Sequence, residues 1–180
     1  MKISSIVVLL LCCQVSCASS SAMLQAPNVL SEIEQRGAHA VVQELYKDTE
    51  RWQALLKAVS SGSHEWLTVA TKLRPGTDAG SSEMLETAIF FALGNAPVES
   101  LKLISAGTFS VEGTCSSNFL IDTPADQDAL SMIDKRIAVL KIVKDPNLVA
   151  TRDLCIKGLQ QARNDVLKTL DETRRKTDIK

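Results

Sequence analysis

"WQALLKAVSSGSHEWLTVATKLRPGTDAG" (residues 52–80) decides the fold. Ahead of Ser60-Ser61-Gly62, the apolar residues Trp52, Leu55, Leu56 and Val59 recur three and four positions apart. Behind it, Trp66, Val69, Ala70 and Leu73 do the same. That spacing gives each of two helices one apolar face. Glycine suits the position just past a helix end, Ser63 is placed to cap the next helix, and Glu65 in its first turn favours the dipole. Pro75-Gly76 stops the second helix. The stretch reads as an α-hairpin, with Trp52 and Trp66 filling its core.

The Gly62-Ser63-His64-Glu65 turn invites a catalytic reading and does not sustain it. A serine nucleophile of the Gly-x-Ser-x-Gly kind sits on a strained strand-to-helix turn beside an oriented base. Adjacent residues on a helix do not face each other, so His64 is badly placed to serve Ser63. His64-Glu65 also begins like a zinc-protease helix, but Thr68 stands where the second histidine belongs. The run is a turn and a cap.

Upstream, Ser31-x-x-Glu34 has the form of a capping box, followed by an apolar face at Val41, Val42 and Leu45 that continues to Val59. Gly37 is the expected kink or split. Downstream, "SEMLETAIFFALGNA" (82–96) predicts a third helix, apolar nearly all round at Ile89-Phe90-Phe91 and therefore buried on more than one side. Pro97 opens a fourth, with Val98, Leu101 and Ile104 as its stripe and Gly107 as its end. A shift of 34 residues aligns Ala58 with Ala92, Glu65 with Glu99 and Leu67 with Leu101. A period of this size suits a two-unit helix-pair repeat.

Residues 107–122 break the pattern, and Phe109, Val111, Phe119, Leu120 and Ile121 read as anchors of a loop or two short extended pieces. Thr123-Pro124 starts a fifth helix with its seam at Leu130, Ile133, Ile137, Leu140 and Val143. Asp145-Pro146-Asn147 is a turn. The last helix carries Leu148, Cys155, Leu159, Ala162, Val166 and Leu170. The fold class is therefore all-α: an irregular bundle of two stacked helical hairpins and a C-terminal helix pair.

"MKISSIVVLLLCCQVSCASSSA" (1–22) reads as a secretory signal peptide, its apolar core too short to span a bilayer. Ser20-x-Ala22 and Ser16-x-Ala18 both satisfy the small-residue rule, with cleavage preferred after Ala22. Residues 23–30 then form an N-terminal extension, 31–176 one helical domain and 177–180 a frayed tail. The competing route is lipid modification at Cys17, after Val15-Ser16, with a lipid-anchored structural lipoprotein as its outcome. No later stretch approaches ~18 uninterrupted apolar residues, so no transmembrane segment is expected in the mature chain. Cleavage removes Cys12, Cys13 and Cys17. Cys115 and Cys155 remain, and in an exported protein two cysteines are expected to form one disulfide. Closing that loop contributes about 4 kcal/mol by chain entropy.

With 45% hydrophobic and 23% charged residues, the 180-residue chain is long enough for one core. A formal net charge of −1 and a pI of about 6.1 argue against a nucleic-acid partner. His39 and His64 are the only histidines and stand far apart, so neither a metal site nor a cofactor is indicated. No Walker or dinucleotide glycine motif appears. The pairs Glu83/Glu86 and Asp126/Asp128 read as solvated helix starts, where acids suit the dipole. No catalytic residue is assigned. An envelope or peptidoglycan hydrolase using carboxylates such as Glu83 or Asp78 is the alternative reading. The segment Arg74–Gly80 is polar, rich in turn formers and joins the hairpins. Arg74, Thr77 and Asp78 are the candidate partner-binding residues within it.

"GSHEWLTVATKLRPGTDAG" (62–80), "MIDKRIAVLKIVKDPNLVATRDLC" (132–155) and the cysteine pair resemble small, uncharacterised all-helical proteins exported to the periplasm of Gram-negative bacteria. Export and architecture are also similar to those of helical periplasmic immunity proteins. The resemblance implies no activity. The expectation is a non-catalytic periplasmic or secreted protein that binds another protein, as a toxin-neutralising or envelope-adaptor module, or pairs with itself as a homodimer.

Overall fold

The computed structural model describes residues 24–116 and 127–178, and there the chain is all-α, without a strand. Its helices are α1 (Ala26–Arg36), α2 (Ala38–Lys47), α3 (Thr49–Ser60), α4 (His64–Leu73), α5 (Ala79–Leu93), α6 (Pro97–Ser105), α7 (Val111–Cys115), α8 (Gln127–Ile142) and α9 (Val149–Asp178). A 3-10 turn, Arg74–Gly76, joins α4 to α5. Residues 1–22, read above as a signal peptide and including Cys17, lie outside the described residues, as do Phe119–Ile121, the Thr123-Pro124 start and Asp126.

The one long helix expected ahead of Gly62 is three. Gly37, at φ 82°, separates α1 from α2, and Asp48 breaks the chain again by capping α3, its Oδ1 accepting from Arg51 N–H at 3.1 Å. The start also moves. Helix α1 begins at Ala26 with Pro27 in its first turn, so Ser31 lies mid-helix and caps nothing; its hydroxyl accepts from Gln35. Residues 26–30, assigned above to an extension, are helix, and Ala26 and Val29 are buried. Proline fits a first turn because its missing N–H has no helical partner there.

The α3–α4 and α5–α6 hairpins stack turn on turn. Asn95 Nδ2 donates to Ser60 O at 3.0 Å, and Ala96 lies so close to Gly62 that a Cβ there would collide with it. Gly62, at φ 76°, is thus required by its backbone and by its neighbour. Ser63 takes the N-cap position with an extended backbone, but its hydroxyl makes no cap bond; Ser61 Oγ, bonded to Ala58 O at 2.6 Å, accepts from Ser63 N–H instead. Trp52 reaches out of its own hairpin, meeting Tyr46 of α2 edge-on at 5.5 Å and donating to Met84 Sδ of α5 at 3.3 Å. Trp66 is half-buried against the same core.

Helix α5 runs through the centre, with Leu85, Ala88, Ile89, Phe90, Ala92 and Leu93 all buried. The connector expected as loop or extended pieces contains a short helix, α7, capped by Ser110 Oγ, which accepts from Gly113 N–H at 2.8 Å. The Cys115–Cys155 disulfide joins α7 to α9 with a Cα–Cα separation of 5.0 Å. A Cβ at Gly158 would collide with Cys115 O, so that mid-helix glycine is what lets α7 lie against α9. One contiguous apolar cluster runs from Ala26 to Val166, with α8 and α9 closing one side.

Candidate functional site

Arg74 ends α4, and its guanidinium gathers three separate parts of the chain. Nε donates to Thr108 O at 3.2 Å and Nη1 to Thr77 Oγ1 at 3.1 Å. Nη1 also meets Ser82 Oγ, and Nη2 pairs with Glu86 Oε1 at 3.1 Å. The cation lies 5.7 Å from the ring centre of Phe109. Glu86 Oε1 further accepts from Ser110 Oγ at 3.1 Å, while a Cβ at Gly113 would collide with the same carboxylate. Carboxylate and guanidinium share charge, hydrogen bonds and cover, which is what an enclosed ion pair requires.

Glu86 thus departs from the expected solvated face. It is 8% exposed, whereas Glu83, three residues earlier, is exposed. The reason is geometric: positions 86, 90 and 93 share one face of a helix buried on several sides. That periodicity was the available signal.

The other two candidates on the segment take local roles. Thr77 Oγ1 donates to Arg74 O at 2.8 Å, closing the 3-10 turn. Asp78 caps α5: its Oδ1 accepts from Ser81 N–H at 3.0 Å, and Ser81 Oγ accepts from Asp78 N–H at 3.0 Å. This reciprocal pair starts α5 at Ala79, three residues before the expected start. The Ser81 hydroxyl, then the Ser81 N–H, hold the Asp78 carboxyl below its ordinary range. Gly76 allows α2 to approach, since a Cβ there would collide with the Ala38–His39 backbone. His39 Nδ1 lies 3.3 Å from Gly76 O. The structure therefore brings Arg74 and Thr77 into one network, with Asp78 exposed at its edge.

A second enclosed cation escaped the sequence reading. Arg136 of α8 is 5% exposed; its Nε donates to Phe90 O at 2.7 Å and Nη1 to Met132 O at 2.8 Å. Its guanidinium lies 4.0 Å from the Phe90 ring centre and 5.0 Å from that of Phe91. Burial pushes it down to about 10. The position, three after Ile133 and four before Leu140, falls on the buried seam.

Elsewhere, a groove of about 280 Å³ between α4 and α6 contains His64, Thr68, Thr71, Glu99 and Lys102. There Lys102 pairs with Glu99 at 2.8 Å, and both threonine hydroxyls donate to the carbonyl four residues back. Among the described residues no group of three or more His, Cys, Asp or Glu is placed to hold a metal ion, and no helix is long and apolar enough to cross a membrane. Fold and site together define an all-α protein whose inter-hairpin turn is built on an enclosed ion pair. Comparison with protein families, curated proteins and solved structures finds no match for this chain.

Proposed function

We propose that the chain is an exported, non-catalytic helical protein that works by binding another protein, in the manner of a toxin-neutralising or envelope-adaptor module. One observation carries this reading: the inter-hairpin turn is tied from within by the Arg74–Glu86 pair, while Asp78 is exposed. A surface turn ordered before binding loses little entropy when a partner docks. The disulfide suits an oxidising compartment such as the periplasm or the extracellular space.

The test is affinity capture of the tagged mature chain from native envelope and secreted fractions, read by mass spectrometry. One stoichiometric protein partner is expected, with retention reduced at least tenfold by Asp78→Asn, which keeps a cap acceptor and removes the charge. A wild-type chain that retains no protein, yet clears peptidoglycan in a zymogram through a band abolished by Glu83→Ala or Asp78→Ala, would establish the hydrolase instead.

A further inference from the structure

We infer that the Cys115–Cys155 disulfide is a redox latch on the turn between the hairpins: its reduction frees α7 from α9 and, through Ser110 and Glu86, loosens Arg74 and residues 74–82. This stands independently of the binding reading.

The chain of contacts is continuous. Helix α7 has five residues, too few to persist without anchorage. Its C-terminal residue is Cys115, bonded to Cys155 and laid against Gly158. At its N-terminus, the Ser110 hydroxyl bonds to Glu86 Oε1, and Gly113 covers the same carboxylate. Just before it, Thr108 O accepts from Arg74 Nε, and Phe109 lies beside the guanidinium. The segment that the disulfide retains is thus the lid of the Arg74–Glu86 pair. Once it leaves, water reaches Glu86, the local dielectric rises, and the pair loses most of its Coulomb attraction. Arg74 loses Thr108 O at the same moment. Thr77 and Ser82 are then tethered to a side chain that has become mobile.

The chemistry needs a dithiol reductant. One thiolate attacks a sulfur of the Cys115–Cys155 bond, that bond breaks, and a mixed disulfide forms. The reductant's second thiol closes on its own sulfur and releases the remaining cysteine. Two electrons pass to the protein, both cysteines finish as thiols, and the reductant finishes as a disulfide. Both cysteines are fully buried, so attack follows local opening of α7, which its length makes accessible without global unfolding.

Hydrogen exchange read by mass spectrometry on the full chain tests this, comparing the oxidised protein, the protein treated with dithiothreitol without denaturant, and the Cys115→Ser/Cys155→Ser variant. The expected result is release of two thiols and at least tenfold faster exchange in residues 74–82 and 108–116. Exchange in residues 41–60 should stay within about twofold of the oxidised protein. Glu86→Gln, with the disulfide intact, should speed exchange in 74–82 by a similar factor while both cysteines stay bonded. Opening of 108–116 with 74–82 unchanged overturns the latch. So does uniform acceleration along the chain, loss of helical circular dichroism in the double-serine variant, thiols that appear only in denaturant, or a silent Glu86→Gln.

Discussion

Arg74 and Arg136 are both enclosed, and they are stabilised in different ways. Arg74 keeps 27% of its side chain exposed and has Glu86 at 3.1 Å, with four neutral oxygen or ring partners around it. Arg136 is more deeply buried and is met by two carbonyl oxygens and two aromatic faces. The first site balances a charge with a charge. The second spreads it over dipoles and quadrupoles, which stabilise less and leave a cost of desolvation. Arg136 also acts where α5 ends, donating to Phe90 O while Gly94 N–H, the helical donor for that carbonyl in an unbroken helix, turns to Phe91 O.

The comparison predicts unequal penalties. Glu86→Ala leaves a partly enclosed guanidinium without its counter-charge and should cost about 2 kcal/mol, below the usual figure for a buried pair because Arg74 is partly solvated. Urea unfolding checks this. Arg74→Met combined with Glu86→Leu should recover at least half of the loss, since the uncompensated charge disappears with its partner. A double variant as unstable as Glu86→Ala would show that the polar bonds to Thr108, Thr77 and Ser82, not the charge, are what the turn needs.

Arg136→Met should cost less, about 1 kcal/mol, because the stem still packs on the Phe rings and the lost hydrogen bonds are offset by removal of a desolvated charge. The pH dependence sharpens the point. With its folded pKa lowered by burial to about 10, well below the ordinary arginine range, Arg136 opposes folding most below pH 10, where it is charged in both states. That opposition fades as pH rises above about 10. The wild type should therefore gain on Arg136→Met over that window, in denaturant titrations run in parallel at several pH values. A constant difference would mean that burial does not tax the charge.

What was legible in the sequence followed from periodicity within single elements. The Trp52–Leu73 hairpin, the α5 face and the Ile133–Leu140 seam all repeat at three and four residues, and all are helices with those residues buried, apart from the half-buried Trp66 and Phe91. The disulfide was legible from cysteine arithmetic and is formed. Arg74 was legible as notable, but as a side chain offered to a partner. Its bonds to Thr108 and Glu86 span 34 and 12 residues, distances at which no local pattern operates. Glu86 was misread because an acid near a helix start normally faces water, and nothing local announces a five-residue helix arriving over it. The capping box at Ser31 failed for the opposite reason: a valid local motif was overridden by Pro27 and by burial of Ala26 and Val29.

Asp78 completes the comparison as a charge that is neither enclosed nor paired with a cation at bonding distance, yet still holds a structure in place. Its carboxyl is kept below its ordinary value near 3.8 by the hydroxyl and N–H of Ser81. A carboxyl with a lowered folded pKa adds stability that is fully present above its unfolded value and is lost as pH falls through the folded one. The loss therefore begins below about pH 4, at the start of α5. Asp78→Asn preserves the acceptor for Ser81 N–H, so its effect at neutral pH should be smaller than that of either arginine-site change. Its stability should also fall less steeply than the wild type's between pH 4 and 2. Chemical shifts of the Ser81 amide across that range, in both proteins, make the test local. A Ser81 amide that titrates in the wild type and not in Asp78→Asn locates the acid sensitivity at this cap. If both amides shift together, the sensitivity belongs to other carboxylates and the cap is held by its geometry alone.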